Sequence, residues 1–323
     1  MTFKNVALVG ASGQLGQKIL RHLLASPAEF RITVLQRQQR DLHQSKYDMA
    51  GHEANVRVKV VDYENHEILV SALRDVDVIV SALDSVTAIR LDRLLLEAGR
   101  AAGARRMFPS EYTLDVLHPA AVALMGEAHP RVQHARLFDA LAQVSDDETA
   151  ISSTTIVSGM FLDFAMKGHH GNYDLDKYSG ILFDGGDVPA TGCSSDFIAA
   201  SVVAALRMPE ELTRNKRIHI AEMRYTGRHI LQALEVATDT KFSATYVSSE
   251  FIQKKLTLAI DQGLEREIFV LPVVLLNFAS TNEASKACGA GYLETGLDWN
   301  AGGFLTQERK TLLEIAREVV QAR

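Results

Sequence analysis

Val6-Ala7-Leu8-Val9-Gly10-Ala11-Ser12-Gly13-Gln14-Leu15-Gly16 is an apolar strand running into three glycines spaced three apart. Gln17-Lys18-Ile19-Leu20 then continues with apolar residues at helical spacing, so the third glycine already belongs to a helix. Gly10 permits the tight turn, Gly13 lets backbone approach a pyrophosphate, and Gly16 allows the helix to lie close on the strand. The phosphates are expected at the helix N-terminus, where amides and the helix dipole favour negative charge, with Ser12, Gln14 and Leu15 as neighbours in the cradle. A glycine triplet alone is weak evidence. Strand before and helix after supply the context the motif requires.

Outward from this turn, apolar β-branched runs alternate with helical patterns. Residues 6–9, 32–35, 56–61 and 76–82 read as strands, and 106–109 and 153–157 continue the series more weakly. Residues 14–24, 66–73 and 87–101 read as the helices between them. Such alternation with compact links predicts an α/β fold: a doubly wound parallel sheet covered on both faces. After Gly159 the pattern changes. Residues 160–188 are rich in glycine, aspartate and aromatics without a long periodic segment, helices return at 195–206 and 227–237, and a strand at 242–247 precedes a helix over 250–262. The stretch from there to Gly303 reads as irregular, and 307–321 as a terminal helix. The expected organisation is a dinucleotide-binding domain from 1–159 and 189–238, a smaller discontinuous substrate lobe from 160–188 and 239–303, and a C-terminal helix over 304–323.

The second strand ends in Gln36-Arg37, with Arg40 and Lys46 downstream, where a site preferring NAD places an acid on the ribose hydroxyls. A guanidinium there pairs with a 2′-phosphate that an acid would repel, so NADPH is the expected cofactor, with Arg37 and Lys46 as its ligands. Asp62, after the third strand, either accepts from the adenine amine or is an ordinary turn aspartate. Ala82 and Leu83 close the fourth strand beside the turn, and Gly159 and Phe161 follow the sixth at the sheet's carboxyl edge, where the nicotinamide is expected.

Composition excludes several classes. The formal net charge is −6, which argues against a partner held by nucleic-acid phosphates. The longest nearly unbroken apolar run, 269–279, contains Pro272 and Asn277 and is shorter than the roughly 20 residues a bilayer demands. No basic-then-apolar leader is expected at the start. Cys193 and Cys288 lie far apart and suit free thiols in a reducing compartment, so a cytoplasmic protein acting on a small molecule is expected.

With these residues in place the chain resembles the NmrA-like and isoflavone-reductase-like group of atypical short-chain dehydrogenases. The resemblance rests on Gly10–Gly16, Arg37, residues 77–83, the run Ala104-Arg105-Arg106-Met107-Phe108-Pro109-Ser110-Glu111-Tyr112, residues 155–163 and, more loosely, 195–198. It implies a Rossmann-type NADP domain with a smaller substrate lobe. The activity implied is reduction of a carbon–carbon double bond or related electrophilic carbon in phenolic and other secondary metabolites. The group also contains non-catalytic regulators that bind dinucleotide and a protein partner. Its catalytic lysine would fall at Arg131, and no lysine occurs from Gly126 to Asp163.

Arg131 can supply positive charge, but with a pKa above about 12 it is a poor proton donor. His134 shares its helix face and titrates ordinarily near about 6.5, so it is the expected acid. Pro130 fits the first helical position and places both in the early turns. Ser110 and Tyr112, at the carboxyl end of a sheet strand, are next in line, Tyr112 more as a pocket wall with a hydroxyl than as an acid. Phe161, Phe164, Tyr173, Tyr178, Phe269 and Leu275 are candidate apolar walls. Two patterns are discounted. Tyr173 and Lys177 match a short-chain dehydrogenase spacing but lie after the wrong strand, and His169-His170 lack a recognised set of further ligands, so no metal is expected.

Overall fold

The structure, a computed structural model, describes residues 3–26, 30–37, 53–141, 150–169, 172–278 and 308–323. Arg40, Lys46, His170 and Cys288 lie outside the described residues. Two compact units emerge, Met1–Tyr112, His134–Ile156 and Ile198–Ile218 forming the first, and Thr113–Gln133, Val157–Phe197 and His219–Arg323 the second.

The first unit is built on a seven-stranded sheet. β1 (Asn5–Val9), β2 (Arg31–Gln36), β3 (Val56–Val60), β4 (Val78–Ser81), β5 (Arg106–Phe108) and β6 (Ser152–Val157) lie in the order β6-β5-β4-β1-β2-β3, with a last strand, Lys216–His219, outside β6. The pairs from β6 to β3 are all parallel. Strands buried on both faces need near-continuous apolar sequence, which β1 and β4 supply: Val6–Val9 and Val78–Ser81 are buried throughout. The helices α1 (Gln14–Leu24), α2 (His66–Ala72) and α3 (Ser85–Ala102) cross over between strands. Val9 pairs with Ser81. The order therefore reverses between β1 and β4, and the crevice beyond their carboxyl ends is the switch point where such sheets bind ligands.

The second unit holds two three-stranded sheets and its own apolar core. One sheet joins Met160–Phe161, Ala190–Cys193 and Met223–Tyr225; the other joins Tyr173–Asp174, Ser179–Phe183 and Ser243–Val247. Leu162, Met166, Leu182, Tyr225, Ile230, Leu234 and Ile315 pack together there. The terminal helix, Leu312–Gln321, starts later than the sequence reading had it, because Thr311 and Glu314 form a reciprocal capping box.

One expectation is corrected. The stretch after Gln262, read as irregular, contains a helix over Glu265–Phe278 with Pro272 inside it. Proline removes one helical hydrogen bond at a cost of about 3 kcal/mol. Burial of Leu275 and Leu276 on one face offsets that cost, and Asn277 turns its amide back onto the Val273 carbonyl at 2.7 Å. Among the described residues, no helix is long and apolar enough to cross a membrane.

Candidate functional site

The glycine turn sits flush against the end of β4. A Cβ on Gly10, whose φ is +81°, would meet the Ala82 carbonyl oxygen at 2.4 Å, and one on Gly16 would meet the Gly10 carbonyl oxygen at 2.1 Å. Neither position accepts a side chain unless backbone moves. Gly13 differs: it is exposed, its backbone is extended, and an added Cβ would come no closer than 3.2 Å to the Gly10 oxygen. Steric packing of the protein thus accounts for the first and third glycines but not the middle one, which leaves an open approach to the helix start.

That helix start is uncapped. α1 begins on Gly13 with no side-chain cap and no acid in its first turn, whereas α2 and α3 are capped by Asn65 and Asp84, which accept from the Ile68 and Thr87 amides. An uncapped N-terminus over an open glycine has free amides to offer an anion, the chemistry that a dinucleotide pyrophosphate would need there. Ser12 is exposed and its carbonyl accepts from the side-chain amide of Gln17, Gln14 is half-buried, and Leu15 turns into the core. Ala82 is buried and Leu83 half-buried at the same edge.

On the β2 side, Arg37 is exposed just past the strand. Asp62 is exposed too, and its carboxylate accepts from the Glu64 amide at 3.0 Å, an Asx turn of its own segment. Tyr63, missed in the sequence, donates to the Leu35 carbonyl at 3.0 Å and packs beneath the same edge.

On the β5 side the expected catalytic residues separate by environment. Ser110 Oγ donates to the Leu83 carbonyl at 2.7 Å, while its backbone amide donates to Asp92 Oδ2 at 2.8 Å. His134 is buried at 6% exposure rather than open to a ligand, and its Nε2 lies 3.0 Å from the same Asp92 oxygen. Its Nδ1 lies 4.0 Å from Glu111, whose other oxygen takes Arg217 at 3.0 Å. Asp92, Glu111 and Arg217 escaped the sequence reading.

Tyr112 is buried and its hydroxyl has no hydrogen-bond partner among the described residues. Burial, with the Asp92 charge as the lesser cause, pushes this phenol above its ordinary value. It stays a neutral donor. Tyr112→Phe therefore removes a group with no protein partner, and thermal unfolding is expected to show unchanged or higher stability, within about 1 kcal/mol. A loss of several kcal/mol would show that the hydroxyl is bonded.

The remaining candidates lie in the second unit. Arg131 is half-buried, with its guanidinium 4.9 Å from the centre of the Phe269 ring, and His129 stacks on that ring at 5.5 Å. Gly159, at φ +66°, has no room for a Cβ, which would meet the Thr191 carbonyl oxygen at 2.5 Å. Phe161 is half-buried and edge-on to Phe164, which stacks on His169 at 4.0 Å. Tyr173 donates to the Gly227 carbonyl and Lys177 pairs with Asp174 at the surface, so they do not act as a pair. Tyr178 is edge-on to Phe242, and Leu275 belongs to the core. Cys193 is buried, and its Sγ donates to the Ile220 carbonyl at 3.7 Å. Among the described residues no group of three or more potential ligands is placed to hold a metal.

Comparison with known proteins gives concordant matches. Residues 2–296 match the NmrA-like family. The chain is 26% identical over 275 residues to the oxidoreductase aprR of Aspergillus flavus, covering 85% of this chain and 86% of that protein. It is 26% identical over 257 residues to pinoresinol reductase 2 of Arabidopsis thaliana, covering 75% and 77%. Among solved structures, the binary complex of leucoanthocyanidin reductase with NADPH from Vitis vinifera aligns with a TM-score of 0.72 at 16% identity, covering 98% of this chain and 99% of that one. The likeness to solved structures establishes the Rossmann-like fold.

Proposed function

Because the chain belongs to the NmrA-like family over residues 2–296, we propose that it is an NADPH-dependent oxidoreductase that transfers hydride to a C=C or C=O of an aromatic or polycyclic small molecule of secondary-metabolite type. The observation that carries this reading is the open, uncapped helix start at the sheet's switch point, with Arg37 after β2 where an acid would select NADH. Relatives named as an oxidoreductase and a pinoresinol reductase support the reaction class, and a structural neighbour bound to NADPH supports the cofactor.

When bound, NADPH supplies the hydride. The chain's residues bind, orient and stabilise charge. In this reading the backbone of Gly13–Gly16 holds the pyrophosphate, and Arg37 with Lys46 neutralises the 2′-phosphate. Arg131, standing where the family's lysine is expected, offers fixed positive charge to negative charge developing on the substrate, but keeps its own proton. Tyr112, buried like His134, serves as a wall of this edge. His134 and Ser110, whose polar atoms are engaged with Asp92 and Leu83, hold this edge in shape.

The charge assignment has a direct test. Arg37→Ala combined with Lys46→Ala is expected to weaken NADPH by about 10- to 100-fold, the size of one or two charge-assisted hydrogen bonds, and to leave NADH within about threefold. Equal losses for both dinucleotides, measured by calorimetry, would overturn it.

A second reading is a non-catalytic NADP(H)-sensing regulator with a protein partner, which the arginine at position 131 favours. Turnover separates the two. NADPH consumption with phenolic enones or ketones, lost in Arg131→Ala, supports the reductase. Equal affinity for oxidised and reduced dinucleotide without turnover supports the regulator.

A further inference from the structure

We infer that Asp92 is a positioning residue of the cofactor cleft, tying the edge that follows β4 and β5 to a buried histidine; the inference rests on the NADPH reading above. Asp92 lies on α3 and is fully buried. One of its oxygens, Oδ2, receives both the Ser110 amide at 2.8 Å and His134 Nε2 at 3.0 Å. The Ser110 amide can only donate, so Oδ2 accepts from it, and the His134 ring approaches the same oxygen through Nε2. Ser110 then passes the tie onward, because its hydroxyl donates to the Leu83 carbonyl at 2.7 Å. The backbone of Ala82 and Leu83 is the surface on which Gly10 rests, within 2.4 and 3.2 Å of where a Gly10 Cβ would be. A continuous chain of bonds and contacts therefore runs from His134 through Asp92, Ser110 and Leu83 to the first glycine of the turn. Behind it, Glu111 stands between His134 and Arg217, so the buried carboxylates face a histidine and a guanidinium.

This chain reaches the glycine turn and the edge after β4 and β5, but not the 2′-phosphate side of the crevice. Each half of a doubly wound sheet takes one mononucleotide. Arg37 follows β2 and serves the adenosine half, whereas Leu83 and Ser110 follow β4 and β5 and border the other half. Losing Asp92 should thus weaken binding of the complete dinucleotide and spare a ligand confined to the adenosine half.

Calorimetry on the full chain with NADPH and with adenosine 2′-monophosphate, which has no 5′-phosphate to rest on the glycine turn, reads this difference. For Asp92→Ala the expected result is a rise of about tenfold or more in the Kd for NADPH, with the monophosphate within about twofold. Asp92→Asn keeps one side-chain oxygen that can stand between the Ser110 amide and His134 Nε2, and should restore NADPH to within about threefold. If Asp92→Ala does not fold, Ser110→Ala cuts the same chain one link later and carries the same expectation. Equal losses for the two ligands, or no loss for either, would overturn the inference. Failure of the unsubstituted protein to bind either ligand would instead overturn the NADPH reading itself.

Discussion

Gly16→Ala is expected to abolish measurable NADPH binding and to destabilise the fold, whereas Gly13→Ala is expected to lose binding alone. The added methyl at Gly16 would sit 2.1 Å from the Gly10 carbonyl oxygen and 2.8 Å from the Ala11 Cα, both backbone atoms. Backbone cannot swing aside like the end of a side chain. The turn must open, at the upper end of the usual overpacking cost, about 3 kcal/mol. At Gly13 the contact would be 3.2 Å and the backbone is already extended, a conformation alanine adopts freely. Unfolding of Gly13→Ala should therefore stay within about 1 kcal/mol of the unsubstituted protein. Its methyl group nevertheless projects where a pyrophosphate must come close, and the Kd for NADPH should rise about tenfold or more. Thermal unfolding and calorimetry on the two variants check the contrast. Intact affinity in Gly13→Ala would remove the cradle from its proposed role.

The second large effect concerns Arg106, whose side chain is completely buried on β5. Burial pushes its guanidinium down to about 10, with the charge of Glu210 opposing that shift, so it remains protonated at neutral pH. Its donors reach Ser152 Oγ at 2.5 Å, Thr154 Oγ1 at 2.8 Å, Thr213 Oγ1 at 3.0 Å and the Glu210 carbonyl at 3.2 Å. Those partners come from β6 and from the segment leading to the outermost strand, so one side chain fastens three parts of the sheet. Arg106→Lys keeps the charge but supplies three donors from one point, which cannot reproduce the planar fork. It should lower unfolding stability by about 2 kcal/mol, and Arg106→Ala by about 4 kcal/mol, as for other disrupted buried charge networks. Denaturant titration measures both. A change below about 1 kcal/mol in Arg106→Ala would show that the network contributes little.

Much of the nucleotide-binding unit is legible in the sequence because its signals are local. The apolar run before Gly10 and the helical spacing after Gly13 lie within one short stretch, and the β-branched strands that follow repeat the same period. Helix 265–278 was not legible. Pro272 and the polar Asn277 break the local pattern, and only the tertiary burial of Leu275 and Leu276 makes the helix worth its cost. The brace behind Ser110 was illegible for another reason. Asp92 and His134 meet across 42 residues, and Glu111 and Arg217 across 106, so no spacing rule connects them. His134 itself was visible as a residue of interest on a helix face, but its burial against two acids was not. A histidine on a mixed helix face carries no sequence mark that separates an exposed acid from a buried tie.

The glycine turn and Arg37 converge on one claim, that NADPH lies across the crevice between β1 and β4. Calorimetric titration of the protein with NADPH and, separately, with NADH tests it most directly. Saturable binding at one site per chain, with NADH at least about tenfold weaker for want of the 2′-phosphate, is the predicted result. Absence of binding heat with both dinucleotides, confirmed by unchanged thermal unfolding in their presence, would contradict it.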